Sequence, residues 1–286
     1  TEKEKKVLAI FCGGKIGGFY DAIITLFLFL GTSIMFSGSC EIFKAYFHLP
    51  KIYGIAIICF LTLLAVFKSI EGLLSVNSII VPAISAVVIL ASIALFKDKN
   101  MLTLWSHIDI PKNSSAFKAF FFMFFYCSYN LMLSLGVLTA FPQDIKSKKA
   151  LSMGAFIGGF GLMVLAFLLN ALILTDMPEV LDKSLPMIYI TRGFHPYFRY
   201  ALALCIWGEI YSTAVSDVFS LANRLTSKKR YSYKAVCTAI VLCSIPLSLF
   251  DFKSLVAFFY PLFGALSIFL IVCIIYYGKA EKLKPQ

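Results

Sequence analysis

Charge is what this chain has least of. Only 14% of its 286 residues are Asp, Glu, Lys or Arg, where a soluble domain carries about a quarter, and no solvated surface can be built from so few. Histidine occurs at three positions, His48, His107 and His195. They are scattered in predicted loops with neither metal-ligand spacing nor a nucleophile beside them, so nothing points to an enzyme or to a resident metal or cofactor. The eight cysteines include no CxxC pair. Cys59, Cys127, Cys205, Cys237, Cys243 and Cys273 fall within apolar runs and read as small buried residues without a redox role. The glycine-rich CGGKIGGF at 12–19 fits neither GxGxxG nor GxxxxGK(S/T) and follows no strand, which excludes a phosphate loop and leaves a flexible entry to the first apolar run. TEKEKKVLAIFCGGK also lacks the hydrophobic region and cleavage site of a signal peptide, and a further N-terminal portion ahead of Thr1 is expected.

What is abundant is apolar surface. The chain is 60% hydrophobic with a mean hydropathy of +0.87, the composition of a polytopic membrane protein. Eight apolar stretches stand at about 20–46, 52–67, 72–96, 119–141, 150–175, 200–223, 235–251 and 254–277. Two of these, 52–67 and 235–251, are short for a bilayer core of roughly 30 Å. The formal charge of +11 lies in short clusters between the stretches, a pattern of membrane topology rather than of nucleic-acid binding. With the N-terminus inside, the cytoplasmic side receives Lys3, Lys5, Lys6, Lys15, Lys68, Lys146, Lys148, Lys149, Arg224, Lys228, Lys229, Arg230, Lys234, Lys279, Lys282 and Lys284. That is sixteen of the 26 basic residues, so both termini are expected to be cytoplasmic. The connection 176–199 then lies outside and is long enough for a surface helix. Asn113-Ser114-Ser115, on the same side, matches a glycosylation sequon, a frequent chance match.

Local residues limit how the spans pack. Gly154, Gly158 and Gly161, with Ala155 and Gly159, give the fifth span a small-residue face that lets another helix approach. Pro82 and Pro246 each remove an intrahelical bond and are expected to kink the third and seventh spans. Asp21, near the start of the first span, suits the helix dipole, and Glu41 and Lys44 are spaced to pair on its surface.

Polar residues inside the spans carry the functional signal. In the fourth, Tyr126, Ser128, Tyr129 and Asn130 cluster in an uncharged run, and each would be costly facing lipid. In the sixth, IWGEIYSTAVSDVFSLANR, successive turns of about 100° put Glu209, Ser212, Thr213, Ser216, Ser220 and Asn223 on one face about 100° wide, with Asp217 on its border. Trp207 and Tyr211 point the other way. Glu209 falls close to the bilayer midplane, where a carboxylate faces a cavity or a partner. A carboxyl group that only fixes packing is the bland alternative for such a residue, and a whole stripe makes it the weaker one. Hydroxyls with a carboxylate offer hard oxygen ligands for Na⁺, and a lone carboxylate suits a proton relay.

MFSGSCEIFKAYFHLP in the first span, YCSYNLMLSLGVL followed by KALSMGAFIGG, SLPMIYITRG in the outer loop and IWGEIYSTAVSD together resemble the YkvI family of bacterial membrane proteins, over about residues 20–277. That family is placed in the amino acid-polyamine-organocation superfamily of transporters, so the resemblance implies a LeuT-like fold of ten core helices in two inverted repeats. The eight spans then correspond to core helices three to ten, the first two being absent. Residues 20–116 become the remainder of the first repeat, 117–277 the second and 278–286 a cytoplasmic tail of a single transmembrane domain, 1–286. The resemblance further implies a helix break near Ser128, Tyr129 and Asn130, although no Gly or Pro lies there, and Na⁺ coordination at Ser212, Thr213 and Ser216.

The resulting expectation is an all-α inner-membrane protein that resembles a secondary transporter and moves a small polar or amino-acid-like solute with H⁺ or Na⁺. Tyr126, Ser128, Tyr129, Asn130 and Glu209 are the candidate solute residues; Glu209, Ser212, Thr213, Ser216 and Asp217 are the candidate coupling residues. Its partners are the lipid bilayer and the solute, not nucleic acid. Two alternatives stand beside it: a receptor or assembly subunit on a transporter-derived fold, as in spore-germination receptors, and a truncated inactive product.

Overall fold

The structure, a computed structural model, describes residues 14–98, 116–140, 147–174, 176–177, 179–180, 183, 185–226 and 231–282. All eight apolar stretches are helical in it: α1 (Gly14–Phe47), α2 (Lys51–Val66), α3 (Ser69–Asp98), α4 (Ala116–Ala140) and α5 (Lys148–Leu174), then, after a short helix α6 (Pro186–Ile190) and a 3-10 turn (Thr191–Gly193), α7 (Pro196–Thr226), α8 (Tyr233–Ser248) and α9 (Phe252–Lys282). The protein is an all-α polytopic membrane protein. No strand occurs among the described residues, and six of the helices are long and apolar enough to cross a bilayer. The two short stretches are α2 and α8, 16 residues each, which rise about 24 Å. Helix α1 begins at Gly14, so the glycine-rich segment read as a flexible entry is helical from there on. Pro82 in α3, Pro246 in α8 and Pro261 in α9 all stand inside continuous helices. His107 and the sequon at Asn113 lie outside the described residues.

Lipid tails are as apolar as leucine, so burial between helices gains little over exposure to lipid, and close backbone approach with hydrogen bonding decides which helices meet. Helix α1 is the most buried of the six long spans. Of its apolar window 83% is buried, against 6% for α5, which makes α1 the axis of the bundle and puts α5 at the rim. Around α1 stand α7, α2, α8 and α9; α4 packs on α9, and α3 lies between α7 and α5. The glycine face of α5 is unoccupied by the rest of the described chain: nothing lies within 4 Å of where a Cβ would stand on Gly154, Gly158, Gly159 or Gly161.

The α1–α7 contact runs antiparallel along almost the whole of both helices. Asp21 meets Arg224, Gly31 meets Asp217, Gly38 meets Ile210, Ser39 meets Trp207 and Tyr46 meets Tyr200. The glycines are seven apart, and so are Ile210, Asp217 and Arg224, the two-turn step of helices packed nearly parallel to a common axis. Hydrogen bonds then tie this pair to α2. Trp207 Nε1 donates to Ser39 Oγ at 2.8 Å, Ser39 Oγ donates to the Gly54 carbonyl at 3.1 Å, and the Tyr211 hydroxyl donates to the Leu61 carbonyl at 3.1 Å.

Two ionic expectations are corrected. Asp21 does not merely ease a helix dipole, because it stands a full two turns inside α1 and is paired. Arg224, its side chain 2% exposed, donates from Nη2 to Asp21 Oδ1 at 2.5 Å and to the Asp21 carbonyl at 3.0 Å, and from Nε to Thr25 Oγ1 at 3.3 Å. Glu41 turns to Lys51 Nζ, 4.0 Å away, rather than to Lys44. The cause is the end of α1: His48 adopts φ 52°, a left-handed residue that closes the helix, and the chain returns so that the Lys51 carbonyl accepts from Cys40 Sγ at 3.4 Å.

The 176–199 connection holds the expected surface helix in α6, fastened by an exposed cluster. The Tyr189 hydroxyl donates to Glu179, and Arg192 places Nη2 3.5 Å from that carboxylate and Cζ 4.0 Å from the centre of the Tyr189 ring.

Two outcomes follow from these ionic contacts. Arg224→Ala leaves Asp21 without its buried counter-charge and is expected to cost on the order of 3 kcal/mol, read as a lowered unfolding midpoint in detergent. Asp21→Asn with Arg224→Met is expected to recover most of that loss, and failure to recover would mean that the ion pair is not the source. At α6, the Tyr189 hydrogen bond, then Arg192, hold the Glu179 carboxyl below its usual range. A depressed folded value means that the contact contributes fully above about pH 4.3 and is lost as pH falls through the lower value. Carboxyl-carbon NMR is expected to show Glu179 titrating below the other exposed glutamates, and an ordinary midpoint would overturn the assignment.

Candidate functional site

The polar stripe of α7 does not act as one face. Ser212 donates to Asn77 Oδ1 on α3. Thr213 Oγ1 donates to the Glu209 carbonyl at 2.9 Å and Ser216 Oγ to the Ser212 carbonyl at 3.0 Å. Such bonds to the residue four earlier satisfy the hydroxyl inside its own helix and leave only oxygen lone pairs for a ligand. Glu209 is exposed on the side of the bundle with no hydrogen bond to its carboxylate among the described residues. The Ser220 hydroxyl is buried and has no hydrogen-bond partner among the described residues.

The α4 cluster is also divided. The break expected near Ser128, Tyr129 and Asn130 is not present, since α4 is continuous from Ala116 to Ala140. The reason is again local. Ser128 Oγ donates to the Phe124 carbonyl at 2.6 Å and Asn130 Nδ2 to the Tyr126 carbonyl at 2.8 Å, so these polar groups are satisfied without opening a turn. Ser128 and Tyr129 point inward and are buried; Tyr126 and Asn130 are exposed. Tyr129 packs its ring 5.0 Å from that of Tyr260 on α9. That packing depends on a close crossing: a Cβ on Gly264 would fall 2.6 Å from Phe125 Cβ, so only glycine lets α9 come this near to α4.

Asp217 is where the parts converge. It is 5% exposed, and nothing among the described residues donates a hydrogen bond to it. Its carboxylate occupies the space above Gly31, with Oδ2 2.6 Å from the position a Cβ would take there. Arg224 stands one heptad away, about 10 Å along the helix, and is committed to Asp21. The Tyr260 phenol is within electrostatic reach of both Asp217 and Tyr129. Tyr129 on α4 and Tyr260 on α9 therefore stand ring against ring, while Asp217 on α7 lies against the backbone of α1. An ionised carboxylate held this way, with neither donor nor counter-ion, is costly by many kcal/mol. It is compatible with burial only when a proton or a cation neutralises it.

Sequence reasoning placed Asp217 at the edge of the stripe and gave Glu209 its centre. The wheel was right, but the face toward α1 lies a quarter turn away, along Ala203, Ile210, Asp217 and Arg224, all buried. The heptad spacing of Gly31 and Gly38 was a readable signal for it. Asn77 and Tyr260 were not singled out. Each is one polar residue in an apolar run, and only the packing of α3 on α7 and of α4 on α9 gives it a role.

The Gly31–Asp217 contact can be tested directly. Gly31→Ala is expected to destabilise by about 1–3 kcal/mol through overpacking, and clearly less in an Asp217→Ala background. A double-mutant cycle in thermal unfolding measures the difference, and equal costs in both backgrounds would show that the two positions do not share this space.

No family model and no solved structure matches the chain. Two proteins of Bacillus subtilis (strain 168) are similar to it. The uncharacterized protein YyaD is 26% identical over 281 residues, which span 97% of this chain and 80% of that protein. The uncharacterized membrane protein YkvI is 26% identical over 274 residues, 93% of this chain and 76% of that protein. The likeness therefore extends over nearly the whole bundle and, with the apolar helices, fits a membrane protein.

Proposed function

We propose that the protein is a secondary-transporter-like carrier on a LeuT-like scaffold, moving a small polar or amino-acid-like solute across the bacterial inner membrane with a proton as the coupling ion. The observation that carries this reading is Asp217, an acid buried between α1 and α7 with no donor or counter-ion among the described residues. Structural carboxylates at helix contacts are paired, as Asp21 is; an unpaired one at this depth is what a proton-coupled carrier needs, because its protonation changes the charge at the contact between its two central helices. Tyr129 and Tyr260 supply the polar wall next to it, and Ser128 lies on the same inward side of α4. Sodium is the competing ion. Ser212, Thr213 and Ser216 keep oxygen lone pairs, but Ser212 is engaged with Asn77 on another side of the helix from Asp217.

The test is flux in proteoliposomes loaded with a pH-sensitive dye and offered a mixture of labelled amino acids. The wild-type protein is expected to accumulate a labelled solute when an inward proton gradient is imposed and to acidify the lumen, reported by the dye, as it does so. Asp217→Asn, which mimics the neutral acid, is expected to abolish gradient-driven accumulation while keeping solute exchange between equal pools. Accumulation that follows a sodium gradient, or that is unchanged in Asp217→Asn, would overturn proton coupling at this residue. Absence of any flux would favour the receptor reading.

A further inference from the structure

The two short helices, α2 and α8, pack against each other, and α2 ends where α8 begins. Lys234, in the first turn of α8, holds Nζ 5.6 Å from the centre of the Phe67 ring, and Lys68 follows Phe67 directly. Helices of about 24 Å fall short of a hydrocarbon core of roughly 30 Å, so the headgroup layer is drawn in toward their ends. Neither Lys68 nor Lys234 has an ion pair among the described residues. Glu71, in the first turn of α3, is paired with neither of them.

From Lys68 a groove of about 380 Å³ runs between α2 and α3, with Tyr211 of α7 contributing to its wall. It reaches Leu61, seven residues back along α2 and about 10 Å away. Gly72 makes the helix crossing beside it: a Cβ there would collide with the Ala65 carbonyl, so only glycine lets α3 come this near to α2. Beyond the crossing the groove is lined by Leu61, Leu64 and Val76. Its two hydroxyls are already satisfied, since Tyr211 donates to the Leu61 carbonyl at 3.1 Å and Ser75 Oγ to the Glu71 carbonyl at 2.7 Å. No carboxylate lines it. What remains is an apolar channel with an unpaired cation at one end.

We infer that this groove is a site for an anionic phospholipid, its phosphate drawn to Lys68 and Lys234 and one acyl chain lying between α2 and α3 against Leu61, Leu64 and Val76. The apolar walls alone would accept any acyl chain; the two lysines choose the headgroup. An ammonium is a compact donor suited to phosphate, and each lysine near the membrane surface favours an anionic lipid over a neutral one by about fivefold. A zwitterionic headgroup would bring its own ammonium beside them. The site requires only that the chain lie in a membrane. It shares no residue with the Asp217 region, so its failure would leave the transport reading untouched.

The experiment is native mass spectrometry of the full chain in nonionic detergent, titrated with dioleoyl phosphatidylglycerol or dioleoyl phosphatidylcholine. Phosphatidylglycerol is expected to bind saturably and about tenfold or more tighter than phosphatidylcholine. Lys68→Gln and Lys234→Gln are each expected to weaken it by about fivefold. Ser75→Phe, which obstructs the groove from an exposed position and leaves both lysines in place, is expected to weaken it at least as much. All three are expected to keep the wild-type unfolding midpoint, and Lys149→Gln, at an exposed lysine of α5, to bind as wild type does. Equal affinity for the two lipids, or wild-type affinity in Ser75→Phe, would overturn the site. Equal weakening by Lys149→Gln would reduce it to diffuse surface charge and overturn it as well. Glycerophosphoglycerol, the headgroup without chains, is expected not to bind saturably; binding as tight as that of the whole lipid would overturn the lipid assignment.

Discussion

The structure depends on the antiparallel contact between α1 and α7. In lipid that contact cannot be driven by hiding apolar surface, and it is made instead by what each helix leaves out and what it offers. Helix α1 omits side chains at Gly31 and Gly38; α7 fills the gaps with Asp217 and Ile210. At one end the Asp21–Arg224 pair fixes register, and in the other half Trp207 and Ser39 do so by a hydrogen bond. The remaining helices inherit their places from this pair: α2 through Ser39 and Tyr211, α3 through Ser212, and α9 with α4 through Tyr260 and Tyr129.

That arrangement separates two uses of acidic residues. Asp21 is fastened by an arginine and a threonine, and its charge is part of the frame. Asp217, seven residues from the same arginine, is denied it by distance along the helix. A protein that needed only packing there could place an apolar residue in the heptad position, as Ile210 does one step away. Asp217 thus stands at the contact most important to the bundle without a partner for its carboxyl group among the described residues.

Most of the fold was legible because membrane helices are written in one dimension: a long uncharged run has few alternatives, and even the two short spans were readable by length. The site was legible only in part. Depth singled out Glu209, yet depth says nothing about direction, and the bundle turns that residue outward while drawing Asp217 in. The YCSYN cluster was read as a helix break because of a resemblance, whereas the hydroxyl of Ser128 and the amide of Asn130 are satisfied four residues back and need no break.

Hydrogen bonds to the carbonyl four residues back recur along these helices, at Thr32, Ser33, Ser92, Ser128, Thr213, Ser216, Ser244 and Ser267. Helices provided for in this way can enter the bilayer one at a time with little polar debt. Asp21 is different, because its arginine lies 203 residues later in the chain. At a synthesis rate of roughly 5–20 residues per second, about 10–40 s separate the two. During that interval α1 carries an acid whose partner has not yet been made. The bundle's central helix is therefore completed only when the seventh arrives, so the order of assembly is fixed by one side chain at the beginning of the chain waiting for one near its end.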